Sequence, residues 1–294
     1  MRGMLRFQLS RMLRCREFLA AMLLSCVAVN MGFVMTVLEF RGTDLSGWLS
    51  GVEAASIYGM GRSFSFFGGL WPFLVVLAFS TSFVEDRKSQ CLGAAASRGR
   101  FSDYLRSKLL AAALGGFLVT AVPLFLNLVL CYGIFPDNHN LMIAPYNGSI
   151  FAQQLLAQGR QFPSLGDTFF LLPLYLRSPF CYEMMYTLML GAFSALCAAA
   201  VTAVSFRFSR FKLPLFLPLY LLTALTRLAA SVYLDLSLVY GIPYFELDPL
   251  CYVTALGSRD CWAPYFLILC ALLLGLTLGM LHWAKVHCLE LIQR

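Results

Sequence analysis

Residue types that carry catalysis or bind metals occur in this 294-residue chain, but not in the patterns that such chemistry needs. The histidines stand at positions 139, 282 and 287, and no H-E-x-x-H pattern contains them. The ten cysteines form neither a C-x-x-C pair nor a Cys/His set with zinc spacing. The sequence also lacks G-x-S-x-G and G-x-x-x-x-G-K-[ST]. We therefore expect no catalytic residue, metal site or cofactor in this chain.

Two amide side chains and one charged side chain stand inside long apolar runs, where such groups are costly to bury. Asn30 and Asn127 are each near the middle of a run, which is typical of amides that hydrogen-bond between helices. Arg227 is the only full charge within a predicted span. Its side chain either extends to the lipid headgroups or pairs inside the protein, with Asn30, Asn127 or the nearby Asp235 as partners.

The overall composition places these residues in a membrane protein. Sixty per cent of the residues are hydrophobic, 13% are charged, and the mean hydropathy is +0.74. A soluble domain carries about 25% charged residues. Too little polar surface remains to cover a water-soluble globule, so the composition predicts an all-α protein that crosses the membrane several times.

The apolar runs predict one transmembrane domain, residues 1–294, with six helices. A bilayer core needs roughly 20 apolar helical residues. The predicted spans cover residues 18–38, 64–84, 109–135, 184–206, 213–234 and 261–284. Two shorter apolar stretches, 168–176 and 236–245, are predicted to be re-entrant, interfacial or part of a folded outer loop. The segment 137–183 is a long outer loop in this prediction.

The charges predict the orientation of these spans. With the N-terminus in the cytoplasm, the inner segments hold 16 of the 22 lysines and arginines and the outer segments hold five. Of the 15 acidic residues, ten fall outside. This asymmetry predicts that both termini are cytoplasmic. The excess of lysine and arginine over acidic residues then lies beside anionic lipid headgroups, so a nucleic-acid partner is not expected.

The first 17 residues predict an amphipathic helix. Leu5, Leu9, Met12 and Leu13 share one helical face, and arginines occupy another. A basic helix of this kind lies in the headgroup plane, where it either sets the topology or positions the first span.

The inner segment 85–108 is the most informative part of the sequence. Phe101, Tyr104, Leu105 and Leu109 form an apolar stripe at helical spacing that leads directly into the third span. Gly93 precedes this helix and separates another short element from it. A basic, partly apolar segment of this kind suits the binding of a soluble partner better than a plain connector.

This segment resembles the type-2 class of ABC transporter permeases. In that class an acidic residue ends the second span, followed by a glycine, an arginine-bearing stretch, a Tyr-Leu pair and a lysine. The similar positions here are Glu85, Gly93, Arg98 or Arg100, Tyr104-Leu105 and Lys108. Asp248-Pro249 and Tyr252 resemble the Pro-aromatic pattern before the last span of the class. The long segment 137–183 departs from it, because many members have a short turn there.

The resemblance implies the membrane subunit of an ATP-driven exporter in the bacterial cytoplasmic membrane. A separate ATP-binding subunit would bind the 85–108 segment, and a second permease, identical or related, would complete the pathway. The residues that would couple the two subunits are Glu85, Arg87, Gly93, Arg100, Tyr104 and Lys108. ATP would be bound by the partner subunit alone.

Two other classes of function stay open. A secondary transporter would need ionisable groups near the middle of the membrane, and in the predicted spans Arg227 alone qualifies. A membrane scaffold or sensor would bind a cytoplasmic protein through the same inner segment and transport nothing.

Overall fold

The computed structural model describes residues 2–39, 41–42, 55, 62–89, 101–135, 174, 177–208, 212–241, 245–254 and 262–287. All regular elements within these ranges are helical. In chain order the α-helices are α1 Arg2–Arg14, α2 Arg16–Glu39, α3 Arg62–Phe79, α4 Ser82–Lys88, α5 Phe101–Ile134, α6 Pro179–Phe208, α7 Leu217–Tyr240 and α8 Ala263–Val286. Short 3-10 turns cover Leu213–Leu215 and Cys251–Val253.

Six helical segments of the described chain are long and apolar enough to cross a membrane, which confirms the predicted multi-span class. They cover Arg16–Glu39, Phe66–Lys88, Phe101–Ile134, Pro179–Arg207, Leu213–Tyr240 and Ala263–Val286. Most extend beyond the predicted spans, because a helix continues through charged residues that the search for uncharged runs leaves out.

The start of the third span and the end of the fifth are both predicted from the sequence. The stripe from Phe101 to Leu109 is buried and belongs to the first turns of α5, so it leads without a break into the third span. The predicted separate piece 236–245 is wrong in its first half, because residues 236–240 are the last turn of α7. That helix ends at Gly241, whose φ of +64° suits a glycine C-cap. The piece 168–176 lies outside the described residues except for Leu174.

The helix α1 forms as the sequence predicts, but it packs against the bundle as well as presenting a basic face. Met12 is buried, and its sulfur lies against Gly115 of α5. Leu13, which the pattern places on the same face, is 53% exposed. The chain turns between α1 and α2 at Cys15, whose N–H donates to the Met12 carbonyl at 3.0 Å.

The tightest packing joins α5 to α6. A Cβ atom added to Gly116 would lie 2.7 Å from the Cβ of Ala198 and 2.8 Å from the carbonyl oxygen of Ser194. The Ser194 hydroxyl accepts hydrogen bonds from the Trp71 indole at 2.8 Å and from Thr120 at 3.0 Å. One serine on α6 therefore connects α3, α5 and α6 in the core.

The last two long helices lie at the periphery. In the most apolar stretch of Leu213–Tyr240 only 22% of the residues are buried, and in that of Ala263–Val286 only 11%. The corresponding share for Phe66–Lys88 is 78%. Their apolar faces are therefore available to lipid or to another membrane helix.

The α5–α6 contact gives a direct test of the packing. We expect Gly116→Ala to destabilise the protein by about 1–3 kcal/mol, because the new methyl group meets backbone that cannot move aside. Gly133→Ala is the matched control on the same helix, since its Cβ meets nothing within 4 Å. We expect it to stay within about 1 kcal/mol of the natural protein. Thermal unfolding in detergent measures both, and equal stability of the two variants would contradict this contact.

Candidate functional site

Asp86 on α4 is the centre of a buried ionic cluster at the end of the bundle where α1 lies. Its side chain is 1% exposed and binds three groups from two other helices. Oδ1 accepts a hydrogen bond from the guanidinium of Arg11 on α1. Oδ2 accepts bonds from the Tyr104 hydroxyl and from Nζ of Lys108, the latter at 2.6 Å. We call Asp86, Arg11, Tyr104 and Lys108 the Asp86 cluster.

The helix geometry of α5 explains why two of these groups meet one carboxylate. Tyr104 and Lys108 are four residues apart, so their side chains lie on the same face of α5. On the other side, α3 ends at Phe79 and the chain resumes as α4 at Ser82. This break turns Asp86 towards α5.

Lys108 depends on Asp86 for its charge balance. Its side chain is fully buried, and Nζ also lies 4.8 Å from the centre of the Phe79 ring. An ammonium group removed from water loses several kcal/mol of solvation, which a close carboxylate and an aromatic face offset. Arg11, at the partly exposed edge, adds a second positive charge. Burial alone would lower the pKa of Arg11, but the Asp86 carboxylate outweighs this effect and raises the pKa above its usual value.

A second, more exposed cluster surrounds Lys212, just before the 3-10 turn that leads into α7. Its Nζ binds Glu17 at the start of α2 and Glu85 on α4. Glu17 also accepts a hydrogen bond from Thr81 at 2.6 Å. Burial would lower the pKa of Lys212, but the bonds to Glu17 and Glu85 raise it. Since all three charged side chains are between a quarter and two fifths exposed, solvent screens these pairs.

Together the two clusters connect five of the helices at this end of the bundle. The Asp86 cluster joins α1, α4 and α5, and the Lys212 cluster joins α2, α4 and the start of α7. The segment 90–100 connects α4 to α5, and residues on both sides of it are fixed to each other through Asp86.

The predicted coupling residues fall into three groups in the structure. Gly93 and Arg100 lie outside the described residues. Glu85 is bound to Lys212, and Arg87 is half-buried. Tyr104 and Lys108 are buried against Asp86, so in this arrangement they hold α4 and α5 together rather than present a surface. Their role in coupling to a partner stays a prediction.

Sequence reasoning missed Asp86 and chose its neighbour Glu85. A usable signal was present, because Lys108 lies on the same helical face as the apolar residues Phe101, Tyr104 and Leu105. A lysine on a buried face needs an acid opposite it, and the nearest acids along the chain outside α5 are Glu85 and Asp86.

The polar residues inside the spans make specific contacts. Asn127 donates to the side-chain oxygen of Asn30 at 3.3 Å, which links α5 to α2 as the sequence predicts. Asn30 in turn donates to the carbonyl of Cys26 at 2.9 Å. Arg227 pairs with neither amide. It binds Asp248 at 2.9 Å and the carbonyl of Gly68 at 3.3 Å, so it fastens α7 to α3 and to the segment 245–254.

Glu183 is a buried acid that the sequence analysis assigned to the outer loop. It lies in the second turn of α6 and is fully buried. Cys131 and Tyr132 of α5 are beside it, but neither carboxyl oxygen has a partner in strict hydrogen-bond geometry. The apolar-run criterion missed it because that criterion starts each span after the last charge.

No family model, curated protein or solved structure matches this chain. Within the described residues, no group of three His, Cys, Asp or Glu side chains is arranged to hold a metal ion.

The Asp86 cluster predicts unequal effects for two neighbouring acids. We expect Asp86→Ala to lower stability by about 3–5 kcal/mol, because it leaves Lys108 charged and buried without a partner. Glu85→Ala is the matched control, and the loss of its exposed pair is expected to cost about 1 kcal/mol or less. Thermal unfolding in detergent gives both values.

A double variant separates charge balance from simple packing. Asp86→Leu combined with Lys108→Met removes both charges, so it should recover much of the stability that Asp86→Ala loses. If the stability of the cluster did not depend on balancing the charge of Lys108, the double variant would be no more stable than Asp86→Ala.

The Asn30–Asn127 bond predicts a small but measurable coupling between α2 and α5. In a double-mutant cycle with leucine at both positions, we expect a coupling energy of about 0.6 kcal/mol, and below about 2 kcal/mol. Thr36→Val on α2 is the control, because the Thr36 hydroxyl bonds to Gly32 of its own helix at 2.8 Å. Coupling of Asn127 to Thr36 as strong as to Asn30 would contradict the pairing.

Proposed function

We propose that this chain is the membrane-spanning subunit of an ATP-driven transporter of the ABC type, coupled to a separate ATP-binding subunit through the segment 85–108. The observation that carries this proposal is the Asp86 cluster, which fixes residues on both sides of the segment 90–100 to each other. A partner that pushes on this segment would move α4 and α5 as one body. Through Lys212 and Arg11, the same push would reach α7 and α1.

The peripheral helices support a dimer of permease subunits. The helices α7 and α8 bury little of their apolar surface within one chain. In a pathway formed by two membrane subunits, identical or related, these faces meet the second subunit or lipid. The resemblance of the 85–108 segment further suggests an exporter in the bacterial cytoplasmic membrane, with ATP hydrolysis confined to the partner.

Co-purification tests this proposal. We expect the tagged chain, isolated in mild detergent from the cells that make it, to bring down a P-loop ATPase in near-equal amount. Arg100→Glu should abolish this association, because it reverses a charge in the segment that the ATPase would bind. Arg14→Glu is the control, since Arg14 is an exposed arginine at the end of α1. A preparation with neither an ATPase nor vanadate-sensitive ATP hydrolysis would contradict the proposal.

Glu85 gives a second, functional test within the same complex. We expect Glu85→Ala to leave insertion and assembly intact while ATP hydrolysis proceeds without transport, because it releases α4 from Lys212. Normal transport by this variant would remove Glu85 from the coupling path.

A secondary transporter is the second candidate, and Glu183 favours it. Such transporters use ionisable groups buried among their helices. In that case no ATPase would co-purify, and transport would follow an ion gradient.

A further inference from the structure

We propose that Glu183 is a proton-binding site in the membrane-embedded part of the bundle, and that release of its proton accompanies separation of α5 from α6 at this level. This inference goes beyond the proposed function and holds for either energy source.

The neighbouring contacts place Glu183 within the helical layer. It lies beside Cys131, one turn further along α5 than Asn127, which pairs with Asn30 of α2. Asn30 is nine residues before the end of α2 at Glu39, a rise of about 13 Å. Glu183 is therefore about one helical turn nearer than Asn30 to the level at which α2 ends, and it still lies within the layer of helices.

The surroundings of Glu183 are closed to water. Glu183, Cys131 and Thr187 are each buried to 99% or more, and Asn127 is buried to the same extent. Asn127 accepts a weak bond from the Cys131 thiol at 3.8 Å. Polar side chains thus run from Asn30 through Asn127 and Cys131 towards the carboxyl group.

No positive charge in the described residues balances Glu183. Neither of its carboxyl oxygens has a partner in strict hydrogen-bond geometry, although the Tyr132 hydroxyl lies beside the carboxyl group, and Glu183 forms no ion pair there. The titratable groups that face it are Tyr132 and Cys131 of α5.

Charged groups on two other helices packed against α6 have partners elsewhere: on α4, Glu85 binds Lys212 and Asp86 binds Lys108, and on α7, Arg227 binds Asp248.

Titratable groups on α8 and on the second 3-10 turn are also directed elsewhere. On α8, the Tyr265 hydroxyl donates to the carbonyl of Leu247 at 2.9 Å, and Cys270 lies by Cys197. On the 3-10 turn, the Tyr252 hydroxyl donates to the carbonyl of Glu246 at 2.6 Å.

The burial of Glu183 and its lack of a charged partner indicate that its ligand is a proton. An unpaired carboxylate in a closed apolar interior is strongly unfavourable, whereas the neutral acid is tolerated. A proton is also small enough to occupy the site without a cavity. On release, the carboxyl O–H bond breaks, the carboxylate keeps the electron pair, and the proton passes to water that enters between the helices.

Proton binding by Glu183 is linked to closure of the helices around it. The closed arrangement accommodates the neutral acid, and an open, hydrated arrangement accommodates the carboxylate. The closed state therefore binds the proton more tightly and is favoured at low pH, and the open state gains population as the pH rises.

Cys131 reports opening next to Glu183, and Cys197 is its internal control. Both thiols are buried, and both lie in the α5–α6 layer. The full chain in lipid nanodiscs would be treated with a small thiol reagent across a pH series, and each modified cysteine would be quantified by peptide mass spectrometry. The ratio of Cys131 to Cys197 modification cancels the common rise in thiolate with pH.

We expect this ratio to rise with pH, by up to about tenfold per pH unit, the limit for one released proton. In Glu183→Gln, which is neutral at every pH, the ratio should stay flat. Infrared difference spectra should show a protonated carboxyl band at low pH that Glu183→Gln lacks. A ratio that is flat in the natural protein, or a carboxyl group ionised throughout, would overturn the proposal. The natural protein alone decides the first point, so the test survives a variant that fails to fold.

Discussion

The buried ammonium group of Lys108 constrains this end of the bundle more than any other feature described. A lysine without solvent must be matched by an acid, and Asp86 meets this need because α4 packs beside the first turns of α5. The position of Arg11 then follows, because the remaining oxygen of Asp86 faces α1. The short helices α1 and α4 are thereby held to the long ones by charge balance in addition to the burial of Met12, Phe83 and Val84, rather than by helix propensity.

The long helices could be predicted from the sequence because their length is dictated by the thickness of a membrane. Runs without charge locate each span, and the described structure contains six helices that agree with them. The ends were less predictable. Residues 236–240 read as a separate piece because Asp235 interrupts the apolar run, yet one acid does not end a helix, and α7 continues until Gly241.

The sites were less predictable for a geometric reason. Glu85 and Asp86 are adjacent, so they point about 100° apart on a helix, and the break at Ser80 and Thr81 resets the phase of α4 relative to α3. The sequence shows two acids but not which one faces inward. Glu183 was hidden for the opposite reason: a span defined by the absence of charge cannot contain one. By contrast, Asn30 and Asn127 each stood alone in an apolar run, and their pairing is the natural way to satisfy two buried amides.

The tight contact at Gly116 lies between the two polar sites and shapes how they can influence each other. There the backbone of α6 touches α5 directly, and Ser194 ties both helices to Trp71. Close-packed contacts of this kind slide or separate poorly, whereas rigid helices pivot about them readily. Lys108 is two turns to one side of Gly116 on α5, and Cys131, beside Glu183, is four turns to the other. A push at the Asp86 cluster that tilted α5 about this contact would open or close the layer around Glu183, and a kink at Pro123, which lies between the two sites on α5, would absorb part of that tilt. Protonation of Glu183 would oppose opening, because the closed layer accommodates the neutral acid and not the carboxylate.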